Sequence, residues 1–284
     1  MLITSAPPLW DSVRAMHHLT ALDPARPRLE RILDAALGGK NNFAADRELA
    51  LQFITETDSR TALRSMHAVP RFYQRVIRHL VQEGVDQIVV LGTGVPTGLP
   101  PGQRLHDIAH ARLPTARVVY AESDPLVLAA ARATIEPDSD RVRIMEGDVR
   151  ELSRLFRDPL LSTFLDREAP IGLLIGCLHN LTGDRHLSVP QQLRHTLAPN
   201  SRLAIMQITH DHLPLADLIR VKDLCGHLTP IPDLRTLDQL RPMFAGLDLL
   251  DPGIVSISQW RPSPAAVSAE PRATGMYGAV ARIP

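Results

Sequence analysis

The chain has 284 residues, 44% of them apolar, with 31 Lys+Arg against 31 Asp+Glu. That length and apolar content suffice for one large domain with extensions, and zero net charge argues against gripping nucleic acid or an anionic membrane by bulk charge. No uncharged apolar run approaches the roughly 18 residues of a membrane span, no signal peptide is read at the start, and the two cysteines, Cys177 and Cys225, lack metal-type spacing and read as free thiols of a cytoplasmic protein.

Residues 1–22 show no clear period. Asp23 and Pro24 then have the form of a helix N-cap and first helical position. Leu29, Ile32, Leu33, Ala36 and Leu37 recur at helical spacing until Gly38-Gly39 stops the helix. A second helix is predicted in NNFAADRELALQFIT. A third is predicted in VPRFYQRVIRHLVQEG, where Val69, Phe72, Val76, Ile77 and Leu80 share a face and Gly84 follows as C-cap.

From there the pattern changes. QIVVLG, ARVVYAES, VRIMEGD, IGLLIGCL and SRLAIMQIT are short apolar runs fit for strands buried on both faces. Helical segments separate them: one around 102–112, then DPLVLAAARATI, VRELSRLFRDPLLSTFL and SVPQQLRHTLA. The alternation implies a doubly wound α/β fold with a parallel sheet. TLDQLRPMFAG reads as a late helix, and LDLLDPGIVSIS and MYGAVARIP as two late strands able to form an antiparallel edge. The division expected is a helical extension or lid over 1–84 and a Rossmann-like domain over 85–284.

The chemistry-bearing candidates cluster at predicted strand tips. Gly92-Thr93-Gly94 follows the first strand, and glycines there let the backbone turn tightly and approach a ligand. A tight turn with no ligand is the competing reading. The second strand ends in Glu122-Ser123-Asp124. Glu122 is the candidate acceptor for ribose hydroxyls, because Asp124 has a helix to cap. Asp148 and Val149, after the third strand, are candidates on the adenine side, with capping again the alternative for Asp148. Cys177 and His179 follow the fourth strand. His179 is a candidate general base, and His210 in ITHDH is a second candidate on the acceptor side. The close histidine pairs, among them His17-His18 and His106/His110, lack a third ligand at zincin-type spacing, so no metal site is read.

The combination of G-x-G without a third glycine and acidic tips on two strands resembles class I S-adenosylmethionine-dependent methyltransferases rather than dinucleotide dehydrogenases. LGGKNNFAADRELA, LGTGVPT, RVVYAESDPLVLAAAR and the closing GLDLLDPGIVSISQWRP…YGAVARIP are similar to an actinobacterial family of S-adenosyl methyltransferases once labelled a domain of unknown function. The resemblance covers the chain from about residue 20 to its end. It implies S-adenosylmethionine as cofactor, methyl transfer to a small-molecule acceptor in secondary metabolism, and a lid motif in which Lys40 and Asn42 contact the cofactor. It implies no nucleic-acid or membrane partner, and a homodimer is allowed.

The sequence departs from the family pattern in places. The acid before the glycine turn is Val90, tyrosines before the lid motif are Leu33 and Ala35, and the loop 98–104 is longer and rich in Pro and Gly. These departures keep two alternatives open. One is an enzyme of the same fold that uses the cofactor for another alkyl transfer, a cyclisation or a rearrangement. The other is a binding or regulatory protein with a vestigial pocket.

Overall fold

The computed structural model describes residues 22–94, 99–135, 140–211, 213–262 and 274–284. Three helices come first: α1 (Leu29–Ala36), α2 (Ala44–Thr55) and α3 (Ser59–Gln82). The strands β1 (Gln87–Leu91), β2 (Arg117–Glu122), β3 (Val142–Glu146), β4 (Gly172–Ile175) and β5 (Arg202–Ile208) follow. Between them lie α4 (Leu105–Arg112), α5 (Pro125–Thr134), α6 (Leu152–Leu155), α7 (Pro159–Phe164) and α8 (Val189–Arg194). The chain closes with α9 (Leu215–Gly226), α10 (Leu237–Leu240) and the strands β6 (Asp248–Leu249), β7 (Val255–Ser256) and β8 (Met276–Arg282).

The sheet order is β3-β2-β1-β4-β5-β8-β6, with β7 also on β8. Pairing is parallel from β3 through β5, and β8 runs antiparallel to β5, β6 and β7. The predicted strand MYGAVARIP does join the sheet antiparallel to β5, whereas LDLLDPGIVSIS, predicted as one strand, forms two short ones, β6 and β7, both antiparallel to β8. Alternate strand residues build two cores, because successive side chains leave a strand on opposite faces. Val90, Val118, Tyr120 and Leu174 join Phe72, Val76 and Leu80 of α3 on one face. Val89, Val119, Leu173 and Ile205 meet Leu152, Leu161 and Leu193 on the other. The long helix α3 is thus a layer of the sheet domain, while α1 and α2 form a smaller cluster with Leu224 and Cys225 of α9.

Three local predictions are corrected. Asp23 caps a turn, through Ala25 N–H at 2.9 Å, and the helix starts only at Leu29. Pro27 lies between them and restricts the residue before it. The single helix predicted over 149–165 is broken, because Pro159 cannot continue it and Asp158 caps a new start at Leu160 N–H, 2.9 Å. Helix α9 was not predicted at all, although Leu218, Val221, Leu224 and Cys225 carry a helical spacing.

Candidate active site

The chain leaves β1 for β2 on one side and returns to β4 on the other, so the strand order reverses between β1 and β4. Such a reversal opens a crevice at the carboxyl ends of the strands. The G-x-G turn sits there. Gly92 and Gly94 both have positive φ, +59° and +64°, which a side chain rarely tolerates. Space is as strict as conformation. A Cβ on Gly92 would lie 2.3 Å from Cys177 Sγ, and one on Gly176 would lie 2.6 Å from Gly92 O and 2.7 Å from Thr93 Cα. The turn after β1 and the tip of β4 are therefore in backbone contact, sealed by Gly176 N–H donating to Leu91 O at 2.9 Å. The continuation of the turn, 95–98, lies outside the described residues.

A cavity opens over this contact, with an empty volume of about 1120 Å³ including its mouth. Gly92, Thr93, Gly94, Gly176 and His179 form its floor. Ile32, Leu33, Phe53, Met66, Val69 and Met206 supply apolar walls from α1, α2, α3 and β5. His179 is only 2% exposed, and neither ring nitrogen has a hydrogen-bond partner. Burial, reinforced by the charge of Arg235, lowers its pKa to about 3, so the ring is neutral at ordinary pH. The unfolded chain then takes up this proton first as pH falls, and stability drops between the usual value near 6.5 and about 3. His179→Phe should remove about 2 kcal/mol of the stability that the chain loses between about pH 7 and about pH 5. Urea titrations at both pH values check this. Glu30, whose pKa moves the other way, contributes equally to both proteins and cancels.

Arg235 is the residue that holds His179 in place, and nothing in its sequence context marks it. It is 2% exposed. It donates to Leu178 O at 3.4 Å, to Gly183 O at 3.1 Å, to Leu181 O and to Gln207 Oε1 at 3.2 Å, and it pairs with Asp233 at 3.1 Å. The loop carrying His179 is thereby wrapped around one guanidinium.

The other tips are as follows. Glu122 is buried at the end of β2, 1% exposed. Asp124 caps α5 through Leu126 and Val127 N–H at 2.8 and 3.1 Å. Its second oxygen pairs with Arg28 Nε at 2.9 Å and Arg31 Nε at 3.0 Å, which docks α1 on the second strand tip. Arg28 also donates to Ser123 Oγ at 3.3 Å. Asp148 caps the turn that holds Val149, through Arg150 N–H at 2.8 Å. Burial would raise the Asp148 pKa, but the ion pair and hydrogen bonds with Arg150 outweigh it and hold the carboxyl below its usual value. Cys177 Sγ is buried against Gly92 and Leu91 O. Burial pushes this thiol well above its usual pKa, and the nearby Glu122, Glu30 and Asp148 charges add to the shift. Both cysteines are free.

Other candidates stand apart from the cavity. Lys40 is exposed. Asn42 donates to Asp34 Oδ2 at 2.8 Å and Gly39 O at 3.1 Å, and accepts from Arg47 at 2.9 Å, so it clasps the loop between α1 and α2. His210 is half-buried beyond β5, and its neighbours Thr209 and Leu213, not its ring, line the cavity. His106 is engaged with the Tyr120 hydroxyl at 3.0 Å and His110 with Ala116 O at 2.9 Å. His17, His18 and His212 lie outside the described residues.

The residues present fit S-adenosylmethionine. Glycine at 92 and 94 keeps side chains off the turn, so a ligand in the cavity can approach its backbone closely. The ligand carries a sulfonium and an ammonium, and the carboxylates of Glu30, Glu122 and Asp148 gather close enough around the tips for all three charges to act on Cys177. Thr93 Oγ1, Glu30 Oε2 and both His179 nitrogens are buried without hydrogen-bond partners around the same turn.

Comparison with known proteins agrees. The family model described as S-adenosyl methyltransferase matches residues 15–284. The chain is 30% identical to a DUF574-family protein from Streptomyces avermitilis, over 92% of this chain and 99% of that one, with a TM-score of 0.80. It is 29% identical to a "putative methyltransferase" from Thermobifida fusca, over 91% and 95% of the two chains, with a TM-score of 0.79. The carbon methyltransferase CurJ shares the fold alone, at 13% identity over 99% and 72% of the chains and a TM-score of 0.50. No curated protein matches. No helix among the described residues is long and apolar enough to cross a membrane. The chain belongs to the S-adenosyl methyltransferase family, and its cofactor is S-adenosylmethionine.

Proposed function

We propose that the protein transfers a methyl group to a small, largely apolar acceptor held in the cavity between the lid and the tips of β1, β4 and β5. The observation that carries this reading is the cavity itself: apolar walls on a floor of Gly92–Gly94 and the unpartnered His179 ring. When bound, S-adenosylmethionine supplies an electrophilic methyl on a sulfonium. The chain's own work is to position the acceptor in line and exclude water. Gly92, Thr93 and Gly94 would hold the cofactor by close backbone approach. Glu122 would accept from the ribose hydroxyls, and Asp148 and Val149 would face the adenine. Asn42 would act only by holding the loop between α1 and α2 folded as part of a lid.

His179, neutral and buried, would accept a hydrogen bond from an acceptor hydroxyl or amine, and so orient it. A ring with so low a pKa takes up a proton only when that proton is leaving the acceptor. A cytoplasmic setting and a role in secondary metabolism belong to the same proposal, supported by the two free thiols and the actinobacterial relatives. Incubation with methyl-labelled cofactor and a panel of apolar hydroxyl and amine acceptors tests the reaction. Label in a product, lost in His179→Phe at unchanged cofactor binding, is the expected result. Cofactor consumed with an adenosyl or aminopropyl fragment on the product would contradict it.

A further inference from the structure

Helix α1 brings one group to the glycine turn that the reading above leaves unused. Glu30 lies in the first turn of α1, with its Cα within 3.2 Å of where a Gly94 Cβ would stand, so the lid packs directly on the turn. It lines the cavity and is only 7% exposed. No hydrogen bond reaches Oε2, and the nearest cation, Arg28 Nε, is 3.9 Å away. That guanidinium is also committed to Asp124 at 2.9 Å. A buried carboxylate in this state carries a desolvation cost that a cation would offset. Burial accordingly pushes its pKa above the usual range despite Arg28. The first strand offers no carboxylate of its own, since Val90 is wholly buried inside the α3-side core.

We infer that Glu30 is the cation-binding residue of the cofactor site, placed by the lid to receive the ammonium of the cofactor's amino-acid end beside Gly94. This rests on the cofactor-binding arrangement proposed above. It makes lid closure and recognition of the amino-acid end one event, because the carboxylate comes from α1 rather than from the sheet. A ligand lacking the amino-acid end would gain nothing from Glu30.

The test compares S-adenosylhomocysteine with 5′-methylthioadenosine, which keeps the adenosine and lacks the amino acid. The first is titrated directly by calorimetry, the second by competition against it. Glu30→Gln should weaken S-adenosylhomocysteine by about tenfold or more, the size of one charge-assisted hydrogen bond, and leave methylthioadenosine unchanged. Glu30→Asp, which keeps the charge, should fall between. The ligand-free melting temperature of Glu30→Gln should hold or rise, since a desolvated charge is removed. Equal binding of S-adenosylhomocysteine by the variant and the parent would overturn the role of Glu30 alone, as would an equal loss for both ligands. Failure of the parent protein to bind either ligand would overturn this inference together with the cofactor arrangement beneath it.

Discussion

Replacing Arg31 by methionine is expected to destabilise the protein by about 3 kcal/mol, the lower end of the cost of breaking a buried ion pair. Arg31 is 1% exposed, stacks over the Phe43 ring at 5.1 Å, and lies between Asp124 at 3.0 Å and Asp46 at 3.7 Å. Both carboxylates are completely buried. The substitution leaves them short of a cation in a medium that cannot hydrate them. The cost stays at the low end because Arg28 Nε remains on Asp124, and Phe43 and Arg28 N–H remain on Asp46 at 2.8 and 3.0 Å. Arg31→Lys should fall between, keeping the charge but losing the planar stacking. Arg154→Ala, which removes only an exposed pair with Glu151, should cost less than about 1 kcal/mol. Urea denaturation of the three variants checks the ranking. Equal effects for Arg31 and Arg154 would mean that α1 is not anchored through this cluster.

The second large effect is expected at Gly176. An added methyl there meets Gly92 O, Thr93 Cα and the Tyr73 hydroxyl, all under 3.0 Å. Two of these are backbone and cannot swing away. Gly176→Ala must therefore separate the tip of β4 from the G-x-G turn, at about 1–3 kcal/mol of stability. Cofactor affinity should fall by at least about tenfold, since the same contact forms the cavity floor. Gly226→Ala is the matched control, because nothing lies within 4 Å of its would-be Cβ and it ends α9. It should be neutral, or stabilising by about 0.5–1 kcal/mol. Calorimetric titration with S-adenosylhomocysteine and a thermal melt of each variant separate the two.

The sheet was legible because each parallel strand is a short run with apolar side chains to both faces, as in QIVVLG and IGLLIGCL, and because Asp124-Pro125 marks a helix start by local chemistry alone. The glycine turn was legible for a similar reason: its backbone demand sits in adjacent residues. What was missed depends on distant partners. Arg31 meets Asp124 across 93 positions and Arg235 meets Gln207 across 28. A charged residue in an amphipathic pattern reads as solvated until the fold buries it. Glu30 escaped notice in the same way. Val90 shows the converse. Its place before the glycines suggested a contact missing from the cofactor, but the strand's alternation sends it into the α3-side core. The predicted third helix covers only VPRFYQRVIRHLVQEG, whereas α3 begins at Ser59 and carries Pro70 in its interior.

The most direct test of a working cofactor site is calorimetric titration of the purified protein with S-adenosylhomocysteine, alongside Glu122→Ala. Saturable one-to-one binding in the micromolar range, lost or strongly weakened in the variant, is the expected result. Absence of binding in the parent protein, or binding indifferent to Glu122, would contradict the site built here from the tips of β1, β2 and β4.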